Sequence, residues 1–460
     1  MLGVPVPPVP RACPLRRFRD EAACRVVERP RHIHRVHATA GPGLAEELRE
    51  GLVERAVSPA GLEKKPVIAG ATSRGDRSQK SYSADPVPDS VNGFPRPRNG
   101  YAAGMRIAIT GASGNIGTAL LRALDRGHEV ITVARRLPDR YAEPYSWAQW
   151  RALDIGEPGA DQELREVFTG ADAVVHLAWA ISPEWSDPSM VRTNEDGTRN
   201  VLQAVTSAGV RRLVCASSVA AYAPGPPEEK VTEDWPCSGI ESSAYSRSKA
   251  LLETALDVFS SRHPEVALAR IRPCAVLQRL AAGEFTRWLL APLLPPGLIG
   301  GRYLPVPLWE SLRAQAVHAD DVAEAIRLIL DRQAVGPFNL AAEDVLHASE
   351  LAQALGGTRV PTTKPVVRAV AQLSWLAGLQ PLHPGWLELA DQAALVDTTR
   401  ARTVLGWQPR YRAAEALRDL IEGLRRGDGE SSAPLASART GLLHRARALT
   451  RGRPTHQSQA

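Results

Sequence analysis

Residues 110–117 read TGASGNIG, between an apolar strand that begins at Arg106 and an amphipathic segment at 116–126. Glycines three residues apart allow a tight turn, a close approach of the backbone to a pyrophosphate, and close packing of helix on strand. The first turn of the helix then offers free N–H groups and a partial positive charge to phosphates. This loop predicts a dinucleotide site, with candidate contacts Gly111, Ser113, Gly114, Asn115, Ile116 and Gly117.

The alternation of apolar strands with amphipathic helices continues along the chain. Further strands are predicted at 130–134, 173–177, 212–216 and 267–271, and helices at 161–168, 198–208 and 244–262. Such alternation favours right-handed βαβ units and a parallel sheet covered on both faces. We therefore expect an α/β fold with a doubly wound parallel sheet, a Rossmann domain at 105–277. A smaller substrate domain would follow at 278–426, with 316–339 returning to the sheet.

The two ends of the chain differ from this body. Residues 1–104 and 427–460 show no sustained period, so we expect disordered extensions. Met105 stands directly before the first strand, and a mis-assigned start of translation is an alternative account of 1–104. The formal net charge of +6 comes from these ends, because residues 105–426 hold slightly more Asp and Glu than Lys and Arg. The charge therefore does not predict nucleic-acid binding by the body.

Other compositional features exclude several classes of protein. The five cysteines have no metal-ligand spacing and indicate reduced thiols, so we predict no metal and a cytoplasmic location. No apolar run is long enough to span a bilayer, so no membrane partner is expected. The apolar segments at 289–298 and 366–382 are interrupted by prolines or polar residues, and we expect them in the core or lining a pocket.

A second motif carries the chemistry. Residues 245–249 read YSRSK, so Tyr245 and Lys249 lie one turn apart on the same face of the predicted helix. A phenol can give or take a proton. The lysine charge favours the phenolate, and we expect it to lower the pKa of Tyr245.

The end of the second strand bears on the choice of cofactor. An acidic residue there would bond the adenosine ribose 2′-hydroxyl, whereas this chain has Arg135 and Arg136. Guanidinium groups suit a 2′-phosphate, so NADP is preferred and NAD stays open. The alternative is that both arginines are solvated loop residues. Asp154 and Ile155, near the end of the next strand, are placed to meet the adenine edge.

Taken in order, these motifs resemble those of the extended short-chain dehydrogenase/reductase family, of the NAD-dependent epimerase/dehydratase type. The resemblance covers roughly residues 105–426, and the ordered series is far more specific than any one motif. The matching segments are TGxxGxxG at 110–117, HLA at 176–178, NxxGTxNVL at 194–202, SSxxxY at 217–222, YxxxK at 245–249, RP at 272–273, VHADDVA at 317–323, FNL at 338–340 and LGWQP at 405–409.

The resemblance implies roles for individual residues. Ser218 would hold the reacting oxygen of the substrate, with Ser217 as the alternative by one position. Tyr245 would pass the proton, and Lys249 would tune Tyr245 and bond the nicotinamide ribose. Asn194 would support Lys249 through water. The remaining implied cofactor contacts are Leu177, Ala178 and Pro273.

We expect an NAD(P)-dependent oxidoreductase or epimerase that acts on a hydroxyl or carbonyl carbon of a small molecule or sugar nucleotide. The residues SVA at 218–220 replace the Thr-Asp-Glu of the family's dehydratases, which argues against dehydration. Residues 178–185 are more aromatic than sugar-nucleotide enzymes usually show, and the candidates for holding a diphosphate are Arg287, Arg302 and Arg313. A non-catalytic dinucleotide-binding sensor or scaffold of the same fold is the alternative.

The resemblance also bears on assembly. Family dimers commonly pair the helices predicted here at 198–208 and 244–262, so we expect a homodimer. The alternative is that the apolar residues of both helices pack inside one monomer.

Overall fold

A computed structural model describes residues 104–183, 187–286, 305–380 and 382–437. Its strands are β1 Arg106–Thr110, β2 Glu129–Ala134, β3 Gln149–Ala152, β4 Ala173–His176, β5 Arg212–Ala216, β6 Lys230–Val231, β7 Ala267–Pro273, β8 Ala275–Leu277, β9 Pro305–Trp309, β10 Arg313–Ala314, β11 Ala316–His318, β12 Gly336–Leu340, β13 Leu346–His347, β14 Thr358–Thr362 and β15 Leu395–Val396. Its α-helices are α1 Asn115–Ala123, α2 Ala160–Phe168, α3 Pro188–Val191, α4 Gly197–Ser207, α5 Ala244–Arg262, α6 Ala282–Phe285, α7 Ala319–Arg332, α8 Ala348–Ala354, α9 Lys364–Leu376, α10 Gly385–Gln392, α11 Thr399–Leu405 and α12 Ala413–Arg426.

Seven parallel strands form the large sheet, in the order β12-β7-β5-β4-β1-β2-β3. The chain proceeds outward from β1 in one direction and from β4 in the other. The point where the strand order reverses therefore lies between these two strands, whose carboxyl ends are Thr110 and His176. Ligands of open α/β sheets bind in the crevice at this place. The doubly wound parallel sheet predicted from the sequence is confirmed.

Helices cover both faces of the sheet, because its central strands are apolar on both sides. One core joins Ile107 and Ile109 of β1 to Leu120 of α1 and Ile326 of α7, and these two helices pack against each other. The core on the other face joins β4 and β5 to α2, α4 and α5. The helices predicted around the sheet all form, with ends within about three residues of the expected ones.

Smaller strand pairs build the region beyond the sheet. They are β8 with β11, β9 with β14 and β6 with β15, all parallel, and the antiparallel pair β10 with β13. From the segment 316–339, α7 covers the large sheet and leads into β12 at its edge.

Helix α9 corrects one expectation for this region. The segment 366–382 was expected in the core or lining a pocket, yet α9 has no buried residue, and Val370 and Leu373 are 62% and 66% exposed. A 3.6-residue period identifies an apolar face but not the surface that covers it. Within the described part of this segment, only Leu382, at its end, lines the cavity described below.

The carboxyl-terminal segment is a second correction. A disordered tail is expected from residue 427, whereas residues 427–437 pack back onto the sheet domain. Leu435 is fully buried, and the Ser432 hydroxyl donates to the Ser113 carbonyl at 2.8 Å. The predictions for residues 1–103, 289–298 and 438–460 lie outside the described residues, as do Arg287 and Arg302. Within the described ranges, no helix has the length and apolarity needed to cross a membrane.

Candidate functional site

A cavity of about 670 Å³ lies at the carboxyl ends of the central strands. It brings together residues that are far apart in the chain, from the glycine loop to α10. The predicted site residues in its lining are Gly111, Ser113, Gly114, Asn115, Ile116, Gly117, Arg135, Ile155, Leu177, Ala178, Ser218, Tyr245, Lys249 and Pro273. Asp154 and Asn194 are the two predicted residues that its lining does not include.

The three glycines of the loop have different roles. Gly111 has φ +77°, and a Cβ there would lie 2.5 Å from the amide nitrogen of Ala178. A Cβ on Gly117 would lie 2.4 Å from the carbonyl oxygen of Gly111, so both positions require glycine for packing. At Gly114 the nearest atom would be 3.4 Å away, and no side chain caps the first turn of α1. The loop therefore leaves a cradle of backbone that fits a phosphate.

Asn115 connects this loop to the far side of the cavity. Its Nδ2 donates to the Val276 carbonyl at 3.0 Å, and Gln278 Nε2 donates to its Oδ1 at 2.6 Å. Because the side chain is held by the protein, Asn115 positions the loop in addition to lining the cavity.

The adenosine end of the predicted site is partly corrected. Arg135 and Arg136 are exposed, line the cavity and have no hydrogen bond or ion pair within the described part of the chain. Ile155 is buried in the cavity wall. Asp154 instead accepts from Arg192 Nη2 and from the Gly156 amide, both at 3.1 Å. Its carboxylate is therefore held by protein groups, and Asp154 does not line the cavity.

Helix α5 positions the tyrosine and lysine. Its N-cap, Ser243, accepts from the Ser246 amide at 3.3 Å, which begins the helix immediately before Tyr245. The pKa of the Tyr245 phenol is raised to about 12, chiefly by burial. The Ser218 hydroxyl acts against this rise, and the negative charge of Glu284 adds to it. The phenol is therefore protonated at neutral pH, beside the Ser218 hydroxyl.

The charge of Lys249 was expected to lower the pKa of Tyr245, but that pKa is raised. Its Nζ donates to the Ala216 carbonyl at 3.0 Å and lies 3.5 Å from the centroid of the Trp179 ring. Burial lowers the pKa of Lys249 to about 7. Desolvation dominates because both groups lie inside the protein, where the charged form of each is disfavoured.

The hydroxyl groups of the two candidate serines, Ser217 and Ser218, have different neighbours. The Ser218 side chain contacts Tyr245, accepts from the Ala220 amide at 3.1 Å and lies 3.4 Å from the Pro273 carbonyl oxygen. The Ser217 hydroxyl faces the Glu253 carboxylate and helps to lower the pKa of that group. Successive residues of an extended strand point to opposite sides, so only one of the two can face Tyr245.

The side chain of Asn194 holds the loop after β4. It is buried in the π-helical turn Arg192–Asp196, and its side chain binds the backbone of Ala180 in both directions. Oδ1 accepts from the Ala180 amide at 2.7 Å, and Nδ2 donates to the Ala180 carbonyl at 2.9 Å. Asn194 therefore fixes the loop after β4, and with it Trp179, which covers Lys249.

A buried polar network explains three of the sequence motifs. Glu253 receives Arg272 Nε and Nη2, both at 2.8 Å, and Arg270 Nη1 at 2.9 Å. Arg272 also donates to the Tyr222 hydroxyl at 2.8 Å, which donates to Asn339 at 2.7 Å. Burial disfavours the Glu253 carboxylate, but the two arginines hold its pKa at about 2. The network joins α5 to three segments beside the cavity, so these residues support the site without lining it.

Several residues of the cavity wall were missed. Trp386 stacks on Tyr245, with ring centroids 5.3 Å apart and planes inclined by 26°. Pro434 and Glu284 also line the cavity. Trp179 lies in the aromatic stretch noted in the sequence, but its contact with Lys249 was not expected. No local pattern marks Trp386 or Pro434, because each reaches the site only through tertiary packing.

Comparison with known proteins supports this assignment of the fold. A curated relative from Mycobacterium tuberculosis (strain ATCC 25618 / H37Rv), an uncharacterized protein, is 32% identical over 324 residues, which are 70% of this chain. This chain spans only 30% of that relative's length. A UDP-glucose 4-epimerase of Mycolicibacterium smegmatis is 28% identical over 336 residues, with 70% of this chain and 99% of the relative covered.

A solved structure shows the same fold. The UDP-glucose 4-epimerase of Thermus thermophilus, in complex with NAD, matches with a TM-score of 0.51 and 22% identity. The match covers 70% of this chain and 99% of that one. The profile of the NAD dependent epimerase/dehydratase family matches residues 107–341, which is half of the chain and includes both the glycine loop and the tyrosine helix. The chain therefore belongs to the NAD dependent epimerase/dehydratase family.

Proposed function

We propose that this protein is an NAD(P)-dependent oxidoreductase or epimerase that acts on a hydroxyl-bearing or carbonyl carbon. The observation that carries the proposal is that Ser218 and Tyr245 lie together in the wall of the cavity that also contains the glycine loop. Lys249 lies one helical turn from Tyr245 in the same wall. The relatives named as UDP-glucose 4-epimerases support this class of reaction, whose substrate can be a sugar nucleotide or another small molecule.

The chain's own groups have separate tasks in this proposal. Ser218 holds the substrate oxygen within reach of the phenol. Tyr245, protonated at neutral pH, donates a proton to a carbonyl oxygen, and in the opposite direction it must first lose that proton. Lys249 supplies positive charge beside the reacting groups when it is protonated. Asn194 and Trp179 hold the lysine in place from the loop after β4.

The dinucleotide fits the cradle of the glycine loop. Its phosphates would lie at Gly114 and the first turn of α1, and its nicotinamide half near Lys249, Tyr245 and Pro273. When bound, the dinucleotide supplies hydride chemistry. The cradle supports this fit because a side chain at Gly111 or Gly117 would collide with protein backbone, whereas Gly114 leaves the space above it open.

The test of the catalytic assignment is Tyr245→Phe, assayed with carbonyls and sugar nucleotides while nicotinamide absorbance is followed. Loss of the proton donor should lower kcat by about 10²–10⁴-fold. The dissociation constant for the dinucleotide should change by less than about threefold, because one hydroxyl is removed and the ring is kept. Tyr141→Phe is the matched control, since Tyr141 is 91% exposed.

Wild-type turnover in Tyr245→Phe would remove this tyrosine from the reaction. A wild-type protein that binds the dinucleotide tightly but turns over no carbonyl or sugar nucleotide would favour the sensor or scaffold alternative.

We also propose that NADP is preferred to NAD, with Arg135 as the contact for the 2′-phosphate. The exposed guanidinium in the cavity lining supports this, because a charged hydrogen bond is worth about 1.5–3 kcal/mol. Arg135→Ala should therefore reduce the ratio of NADH to NADPH dissociation constants by about 10- to 100-fold. Arg140→Ala, an exposed arginine outside the lining, should leave that ratio unchanged. A wild-type protein that binds NADH more tightly would contradict the preference.

A homodimer through α4 and α5 is a further proposal. Val201, Val205 and Leu256 are buried in the core of the chain, whereas Leu202 and Leu251 are only half-buried. The half-buried pair would form the apolar centre of a contact between two copies. Light scattering of the full chain at micromolar concentration should give twice the monomer mass. Leu251→Arg should reduce it to the monomer mass, and Leu373→Arg on α9 should not; a wild-type monomer would refute the proposal.

A further inference from the structure

We propose that the substrate of this site is a neutral, largely apolar ketone or secondary alcohol with a ring-sized hydrocarbon body, and not a nucleotide sugar. The inference rests on the proposed function, because it describes what occupies the space beside Ser218 and Tyr245. It comes from the side chains that surround this space and from the way in which their polar groups are already engaged.

The wall beyond the phenol is apolar. Helix α10 supplies Trp386 and Leu389, and Leu382 lies three positions before it; Trp386 is stacked on Tyr245. The loop after β4 supplies Trp179 and Ile181. An apolar ring placed against these side chains would be removed from water, and removal of apolar surface from water favours binding.

Two polar side chains on this wall, Gln315 and Arg313, have groups that are bound to protein. Gln315 donates to the Val396 carbonyl at 3.2 Å and accepts from its amide at 2.7 Å, so its amide group is used in both directions. Arg313 Nη2 donates to the Pro226 carbonyl at 3.3 Å, and its Nε is buried without a hydrogen-bond partner among the described residues, in a residue that is only 9% exposed. Neither residue offers the open guanidinium or amide face that recognises a diphosphate.

Glu284 adds an unfavourable charge for an anionic substrate. It lines the cavity close enough to Tyr245 to raise the pKa of the phenol. A carboxylate near the reacting oxygen repels a phosphate ester held in the same space. In the described part of the lining, Arg135 and Arg136 are the exposed arginines, and both lie at the adenosine end, where the proposed cofactor would bind.

The test uses the full-length protein in two stages. The first measures NADPH binding by the change in nicotinamide fluorescence, and failure at this stage contradicts the proposed function itself. The second measures reduction of trans-1-decalone, with one NADPH oxidised per ketone reduced, against UDP-glucose and UDP-galactose at equal concentration. We expect turnover of the decalone and no saturable binding of either nucleotide sugar.

A matched pair of variants locates the effect. Leu389→Asn places an amide in the apolar wall and should raise KM for the decalone about tenfold, with NADPH affinity unchanged. Val370→Asn, on the exposed face of α9 outside the cavity, should change neither constant. NADPH binding together with turnover of a nucleotide sugar, or with no turnover of the decalone, would overturn the inferred substrate class and leave the proposed cofactor site standing.

Discussion

Replacement of Lys249 by methionine tests the central electrostatic feature of the site. Lys249 is 3% exposed, and burial lowers its pKa from 10.5 to about 7. Between these two values the unfolded chain binds a proton that the folded protein does not hold. The destabilisation of the fold by the charged Lys249 is therefore fully present below pH 7. It is relieved as the pH rises toward the pKa that this lysine has in the unfolded chain.

The magnitude follows from the shift. Each pKa unit corresponds to about 1.4 kcal/mol, so the charged lysine destabilises the fold by roughly 4–5 kcal/mol at low pH. Between pH 7 and pH 10 about 3 kcal/mol of this should be recovered in the wild type. Lys249→Met has no proton to lose and should lack this gain. The Ala216 carbonyl loses its donor in the variant, which costs about 1–3 kcal/mol, but this cost does not vary with pH.

The assay is urea unfolding of both proteins at pH 7, 8, 9 and 10 without added dinucleotide. The difference between their unfolding free energies should change by about 3 kcal/mol across the series, and contributions shared by both proteins cancel. Lys230→Met is the control, because Lys230 is exposed and its stability difference should stay nearly constant. Parallel curves for wild type and Lys249→Met would refute the argument that burial dominates at this lysine.

Three further predictions concern the surroundings of the site. Glu253→Gln leaves two buried arginines without their carboxylate and should lower the free energy of unfolding by about 3–5 kcal/mol. Asp257→Asn is the control, because the Asp257 side chain is 71% exposed and pairs with Arg270 at the surface; it should cost less than about 1 kcal/mol in the same denaturation assay. Equal costs would show that burial does not set the strength of these pairs. Gly117→Ala should lower the free energy of unfolding by about 1–3 kcal/mol. Gly114→Ala should unfold like the wild type, but it should bind the dinucleotide at least about tenfold more weakly in a fluorescence titration, because its methyl group enters the cradle. Normal dinucleotide affinity in Gly114→Ala would contradict the placement of the phosphates. Leu435→Ala should cost about 2–5 kcal/mol, and an unchanged unfolding midpoint would show that residues 427–437 do not belong to the fold.

Much of the fold could be predicted from local patterns. The strands of a parallel sheet are buried on both faces and appear as short apolar runs, and the intervening helices have a 3.6-residue period. The glycine loop identifies the first βα unit because backbone geometry itself requires Gly111 and Gly117. The spacing of Tyr245 and Lys249 puts both on one helix face, whatever surrounds the helix. These features depend on neighbours within a few residues, and the sequence by itself determined them.

The state of the site depends on residues distant in the chain, and only the tertiary structure decided it. Asp154 accepts from Arg192, and Asn194 binds Ala180 in the loop that carries Trp179 over Lys249. Trp386 covers Tyr245 from 141 positions further along the chain, and Ser432 returns to the glycine loop. The pKa values of Tyr245 and Lys249 follow from burial, which spacing along a helix does not reveal. Desolvation depends on every atom packed around a group, so a pairwise spacing in the sequence does not reveal that burial raises the pKa of Tyr245 and lowers that of Lys249.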